Sequence, residues 1–342
     1  MSVRQNVVAF LSAGGGQLPC IHATVTKTSK RKGDTFNCKL PMDLSGAMQL
    51  VQGGDAEVIF SDGNGSQSLI MGKIDHVSME WIDREVCVSG RDKSAVLSEK
   101  KINKQYKNKK ASDIVQDIAQ DAGLQAQVKA TTDDAGKKYD VDTVHLLLNK
   151  TPFEALSWLA EREGCRWYVD GSNLHFEPKD AGNSGGLFTV NYQPPNGGYA
   201  RSNAVYIRTS RNMSAARPCD VKVKSWHHKQ KKLFEHTESS GGGVGEKLTY
   251  EHHFPGMIQQ QVEKIAKSFL SDYKRHELAV EVDMPGDLSI DAKGQLQLQG
   301  TGSVFDTTYD IDSVEFSYSA GEHGNFSMSI CGKTPGQGGG GS

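Results

Sequence analysis

The sequence predicts a mainly β, α+β protein. It has two related β units at its two ends, a small α/β unit inserted between them, and one long amphipathic helix. Three observations lead there. Apolar and polar residues alternate with period two at both ends of the chain. The middle switches to a 3.6-residue period with capping signals. Glycine is abundant (37 of 342 residues) while apolar residues make up only 37%, which fits a turn-rich β protein or one that completes its core by assembly.

Residues 1–90 read as strands. The start, MSVRQNVVAFLSAGGGQ, has an apolar stretch shorter than the ~7–15 residues of a secretory signal. It reads instead as a first strand ending in a glycine loop, Gly14–Gly16. Ile21–Lys27 and Ala56–Phe60 are short and rich in β-branched residues. Leu69–Ser89 is a meander in which Val77, Met79 and Trp81 alternate, Ile82-Asp83-Arg84 turns, and Val86 and Val88 alternate again.

Residues 91–180 carry helix signals. Ser112 is expected to cap a helix running to Ala122, with Ile114, Val115, Ile118 and Ala119 on one face and Gly123 as the stop. Thr151-Pro152-Phe153-Glu154 is a capping box with proline at the first helical position. The helix that follows aligns Phe153, Leu156, Leu159 and Ala160 and stops at Gly164. Cys165–Val169 and Leu174–Phe176 flank Asp170-Gly171, a strong hairpin cue.

Strands return at Leu187–Val190, Asn203–Thr209 and Asp220–Trp226, followed by a glycine-rich loop around Gly241–Gly243. Pro255 is expected to open a helix to about His276, with Ile258, Val262, Ile265, Ala266, Phe269 and Tyr273 on one face packed on a β unit. The chain closes with strands at Leu278–Val282, Gln295–Gln299, Tyr309–Tyr318 and Asn325–Cys331. One internal echo links the two ends. KIDHVSM (73–79) and DIDSVEF (310–316) share Ile-Asp-x-Val, and each leads through a hairpin to a closing strand, SGRDK (89–93) or CGKT (331–334).

Composition excludes several classes. Mean hydropathy is −0.51, and no apolar run approaches the ~18 residues of a membrane helix. Charge is balanced, 39 Lys+Arg against 41 Asp+Glu, so a globally basic nucleic-acid binder is excluded. Four Trp, ten Tyr and twelve Phe argue against wholesale disorder.

Motifs for chemistry are lacking. SSGGGVGEKL fails as a phosphate loop because Glu246 separates Gly245 from Lys247 and Leu248 follows. His227-His228 and His252-His253 are adjacent pairs whose side chains diverge, so they read as surface histidines. No H-E-x-x-H, EF-hand loop or G-x-S-x-G elbow occurs. Cys20, Cys38, Cys87, Cys165, Cys219 and Cys331 form no C-x-x-C pair and read as small hydrophobes. Basic runs at Lys27–Lys32, Lys100–Lys110 and Lys222–Lys232 read as solvated faces, with contact to an acidic partner or passing DNA as the alternative. No catalytic, cofactor-binding or metal-ligating residue is assigned, and none of these groups is expected.

VCVSGRDKSAVLSEKK, ASDIVQDIAQDAGL, NKTPFEALSWLAEREGCRWYVDGSNLHFEP and the closing TTYDIDSVEFSYSAGEHGNFSMSICGK occur in an order that resembles phage tail hub proteins of the late control protein D family and the Mu-like baseplate hubs. The final hairpin departs from the family pattern, with Phe316 or Ser317 where a His is usual, and residues 1–70 match only in being β-rich. The resemblance implies two similar β-barrel domains, 1–95 and 181–332, the second carrying the long helix 256–276. It also implies an inserted α/β domain at 96–180, leaving 333–342 as a disordered Gly-rich tail. It further implies a non-enzymatic homotrimer in a virion tail baseplate, assembled in the bacterial host cytoplasm. Such a trimer forms a pseudo-sixfold ring joining the tail tube protein to a central spike protein. Wedge and tape-measure proteins are further candidate partners, with no specific nucleic-acid binding and no membrane insertion. No β-helix repeat follows residue 332, so a spike is expected on a separate chain. The rival readings are the hub of a tailocin or type VI-like contractile injection device, and a peptidoglycan-acting tail protein.

Overall fold

The alternating segments at both ends form strands, and those strands join a single sheet. The computed structural model describes residues 7–29, 33–62, 65–102, 104, 106, 109–129, 149–178, 185–228, 230–321 and 325–335. The first unit contains β1 (Val8–Ala13), β2 (Gly16–Pro19), β3 (His22–Thr28), β4 (Thr35–Pro41), β5 (Gly54–Ser61), β6 (Ser66–Glu80) and β7 (Glu85–Asp92). They lie side by side in the order β3-β4-β7-β6-β5-β1-β2. The hairpin between β6 and β7 forms where the alternation predicts it, but β6 ends at Glu80 and Trp81 joins the turn, Trp81–Arg84, with Arg84 at φ 55.

The inserted unit packs helices Ala111–Asp121 and Pro152–Glu163 on β8 (Gln125–Val128), β9 (Cys165–Asp170) and β10 (Asn173–Pro178). The Thr151 capping box forms as expected. The Thr151 hydroxyl accepts from Glu154 N–H at 3.2 Å and the Glu154 carboxylate accepts from Thr151 N–H at 2.9 Å. Gly164 ends that helix at φ 62, a left-handed geometry that a Cβ disfavours. Ser112 does not cap the other helix. It is buried inside the first turn, and the cap falls at Lys110, whose N–H donates to the Asp113 carboxylate at 3.3 Å.

The last stretch contains β11 (Leu187–Gln193), β12 (Arg201–Ser202), β13 (Tyr206–Arg211), β14 (Cys219–His227), β15 (Lys232–Ser239), β16 (Leu248–His253), β17 (Leu278–Pro285), β18 (Gln295–Gln299), β19 (Thr308–Ser319) and β20 (Asn325–Lys333). Seven of these repeat the first unit's order, as β13-β17-β20-β19-β18-β11-β12. One joint differs in sense: β1 runs antiparallel to β5, whereas β11 runs parallel to β18.

Two expectations change. The two barrels become halves of one 14-stranded sheet, joined where β19 pairs with β3, and none of the described ladders closes either half. One apolar core, from Val7 and Leu11 through Phe60 to Phe316 and Ile330, spans both halves. The long helix also differs: it runs over Gln259–Lys274 rather than 256–276, because Pro255-Gly256 is a turn with Gly256 at φ 77. Its stripe of Val262, Ile265, Ala266 and Leu270 packs on β14 and β15, not on the large sheet. It forms a third core with Val221, Val223 and Met257. Lys333 ends β20, and Thr334 N–H donates to the Leu278 carbonyl at 3.0 Å. Residues 336–342 of the expected Gly-rich tail, and parts of all three basic runs, lie outside the described residues.

Candidate assembly surfaces

The sequence echo marks a structural duplication. In β6 the register against β7 slips between Ile74 and His76, and in β19 the register against β20 slips between Ile311 and Ser313. Asp75 and Asp312 are therefore the extra residues of two matching β-bulges. Opposite them stand Gly90 and Gly332, and each is followed by a basic residue on which the aspartate closes. Arg91 grips Asp75 through two bonds of 2.5 and 2.9 Å, and Lys333 lies 3.1 Å from Asp312. The Asp312 carboxylate also accepts from Arg275, just past the long helix, so this bulge anchors the third core to the large sheet. The bond to Arg91 holds the Asp75 carboxyl below the usual range. Burial acts to raise Asp312, but Arg275 and Lys333 outweigh it and hold Asp312 low as well.

Beyond the second bulge, β19 is covered by β3. Ser313 faces Thr28, Glu315 faces Thr26, Phe316 faces Val25 and Ser319 faces His22. Ser29 N–H donates to the Asp312 carbonyl at 2.9 Å, and Ala320 N–H to the Ile21 carbonyl at 2.7 Å. Under this cover Phe316 is fully buried and Tyr318 is 7% exposed.

The equivalent stretch of β6 has no such cover. β5 pairs with β6 only as far as Ile74, and from Asp75 onward that edge meets no strand among the described residues. Trp81 and Ile82, at the end of this stretch, are 66% and 96% exposed. Another open edge belongs to β13, which among the described residues pairs only with β17. Val205, Tyr206 and Met213, in and beside it, are also exposed. An open edge lined with apolar side chains invites pairing with another chain.

The inserted unit is tied to both halves of the sheet. Lys93 donates to the Ser172 hydroxyl at 2.8 Å, and Lys293 donates to the Asp170 carboxylate at 2.7 Å and lies over the Tyr168 ring.

One concavity of about 370 Å³ is lined by Thr24, Thr26, Asn37, Asp75, Ser89 and Arg91 with their neighbours, on the polar face of the first half-sheet. Among the described residues no group of three His, Cys, Asp or Glu is arranged to hold a metal ion. The glycine run Gly241–Gly243 sits in the loop between β15 and β16. His252 is packed rather than loose: it stacks on Phe269 at 4.3 Å and meets the Tyr273 hydroxyl at 2.9 Å. None of the six cysteines is in a disulfide. The hydrogen bond to Cys20, together with burial, pushes the Cys38 thiol strongly up, so it stays protonated. No helix among the described residues is long and apolar enough to cross a membrane.

Sequence reasoning found the β6 strand, its apolar tip and the β13 region, but not their open edges. The signal available was the echo itself, which pairs a covered strand with an uncovered one.

Comparison with known proteins agrees with this assembly-like character. The sequence model of the phage tail baseplate hub (GPD) family matches residues 45–321. No curated protein matches the sequence. Among solved structures, the chain resembles the tail protein from Neisseria meningitidis MC58, at 14% identity and TM-score 0.70, covering 96% of each chain. It resembles the 43 kDa tail protein of prophage MuSo2 from Shewanella oneidensis at 15% identity and TM-score 0.69, covering 96% of this chain and 99% of that one. A type VI secretion system component of E. coli, described as structurally similar to bacteriophage T4 tail proteins, follows at 13% identity and TM-score 0.54, covering 95% and 76%. At these identities the structural matches establish a shared fold.

Proposed function

The chain belongs to the phage tail baseplate hub family, and we propose that it works as a non-enzymatic hub, three copies of which close into a ring between a tail tube and a central spike. The observation that carries this reading is the duplication. Two half-sheets share one strand order and matching bulges at Asp75 and Asp312. Three such chains present six nearly equivalent surfaces to a sixfold tube while keeping true threefold symmetry for a spike.

The polar face around Thr24, Thr26, Asn37, Ser89 and the paired Asp75 and Arg91 suits the wall of a hydrated channel. Its charges are matched rather than basic, so DNA passing through would not be gripped. The partners are the tube and spike proteins, with wedge and tape-measure proteins beyond them, and the site of action is the virion tail. The domain limits proposed are the two β domains at 1–95 and 181–332 and the inserted domain at 96–180.

Sedimentation velocity across micromolar concentrations tests the assembly, with a trimer expected. A monomer throughout would contradict the reading. A turbidity assay on purified cell wall is expected to show no clearing, and clearing by this chain would overturn the non-enzymatic assignment.

A further inference from the structure

The seam between β3 and β19 is made once within the chain, but the duplication contains it twice. The second copy needs an open β6 edge and a strand equivalent to β3. The equivalent strand is β13: as β3 pairs with β4, which pairs with β7, so β13 pairs with β17, which pairs with β20. We infer that β13 of one subunit adds antiparallel to the open edge of β6 in the next subunit, with Ser210 facing Ser78 and Arg208 facing Glu80. This deepens the trimeric-ring reading and rests on it.

The register follows from the ladders. Arg91 faces Thr35, which faces Thr26; the matching Lys333 faces Ala279, which faces Ser210. Ser210 therefore stands where Thr26 stands. Thr26 faces Glu315 across the internal seam and donates to its carboxylate at 3.4 Å. By the echo, the β6 counterpart of Glu315 is Ser78. The same steps set Tyr206 opposite Ile82, Ile207 opposite Trp81, Thr209 opposite Met79 and Arg211 opposite Val77. At the two ends, Met213 N–H reaches the Asp75 carbonyl, as Ser29 N–H reaches Asp312 within the chain. Asp83 N–H reaches the Val205 carbonyl, as Ala320 N–H reaches Ile21.

Side chains agree with this register. Trp81, Ile82, Val205, Tyr206 and Met213 are all exposed in the single chain, and all fall inside or beside the seam. Ile207 and Thr209 are half-buried between exposed neighbours, the same alternation as Ala23 and Val25 in β3. Arg211 opposite Val77 repeats Lys27 opposite Val314. Glu80 directly faces Glu85 across its own hairpin, with Lys39 bridging the two carboxylates. Like charges facing across a ladder destabilise it, and Arg208 brings a second cation to this pair. The contact is head-to-tail, because β13 and β6 are different surfaces, and such contacts build rings when the rotation closes. A second copy of this chain is thus the occupant.

The test is a disulfide across the seam. Residues directly opposite in a ladder bring their Cβ atoms close enough for an S–S bond, whereas a diagonal pair ~7–8 Å apart does not. In a Cys87→Ser background, which removes the native thiol directly opposite Ser78 in the β6–β7 ladder, Ser78→Cys with Ser210→Cys in one chain, oxidised under native conditions, is compared with Ser78→Cys with Arg208→Cys and with the parent chain carrying Cys87→Ser alone. The three introduced cysteines lie on strand edges outside the core. The expected result is a trimer by sedimentation in which the in-register pair gives covalent dimers and closed trimers on denaturing gels, while the diagonal pair and the parent do not. A trimer whose in-register pair stays uncrosslinked, or crosslinks no better than the diagonal pair, overturns the β13–β6 seam and leaves the ring to another surface. A parent chain that sediments as a monomer overturns the ring reading itself.

Discussion

Asp75 and Asp312 are equivalent residues of one protein: each is the extra residue of a β-bulge, opposite a glycine, and closes on the basic residue that follows that glycine. Their surroundings differ in one respect. Asp312 also holds Arg275 and is 23% exposed, while Asp75 meets Arg91 alone among the described residues and is 35% exposed. The duplicated aspartate serves as a local clip in one half of the sheet and as an anchor for the long-helix unit in the other.

That difference sets unequal costs of removal. Asp312→Ala leaves Arg275 largely buried without its partner and is expected to cost about 3 kcal/mol. Asp75→Ala breaks a solvent-screened pair and is expected to cost at most about 1 kcal/mol. Urea unfolding of the two variants checks this, and equal losses would contradict the anchoring role.

The two bulge glycines differ in the opposite direction, with the first half the less tolerant. A Cβ at Gly90 would sit 2.0 Å from the Lys73 carbonyl oxygen and 2.6 Å from Phe36 Cζ, whereas at Gly332 the nearest atom is Tyr309 Cβ at 3.1 Å. Backbone cannot yield cheaply in a packed sheet, so Gly90→Ala is expected to cost about 3 kcal/mol and Gly332→Ala about 1 kcal/mol. Thermal melts of the two variants decide the order.

Asp34 gives the fold a pH dependence. Burial pushes its carboxyl up to about 7, against hydrogen bonding from Thr28, and nearby Asp92 adds to the rise. The folded state therefore keeps a proton that the unfolded chain loses near pH 4. This contribution is complete below pH 4, is lost progressively as pH rises, and is gone above about pH 7. Asp34→Asn, which keeps the acceptor for the Thr28 N–H, is expected to gain about 3 kcal/mol over the native chain at pH 8 relative to pH 4. Parallel stability curves for the two proteins across that range would refute the assignment.

The inserted unit offers a local test. Thr151→Ala removes the hydroxyl of the capping box and is expected to cost about 1 kcal/mol. Amide exchange should accelerate first in the opening turn after Pro152. Unchanged protection there would mean the box contributes nothing.

Much of this architecture was legible in the sequence because local rules wrote it. Alternation around Val77, Met79, Val86 and Val88 fixed the β6–β7 hairpin, Asp170-Gly171 fixed the β9–β10 turn, and Thr151 through Glu154 fixed a helix start. β15 and β16 were missed because they cover their helix with few apolar residues, Phe234 and Leu248 among charged neighbours. The long helix was found, but not the sheet it packs on. Periodicity tells which face is buried and is silent on what buries it. The open edges were illegible for a related reason: an edge is a property of ladder order, and β3 and β13 become equivalent only once β4, β7, β17 and β20 are placed between them.

The central claim is that three chains close a ring of six alternating half-sheets through two kinds of equivalent seam. Electron cryo-microscopy of the purified assembly tests it most directly. The expected image is a three-chain ring with a central channel in which β13 of each subunit continues the sheet at β6 of the next, Ser210 beside Ser78. A ring whose subunits meet through other surfaces, with the Trp81–Ile82 tip and β13 both left in solvent, would contradict it.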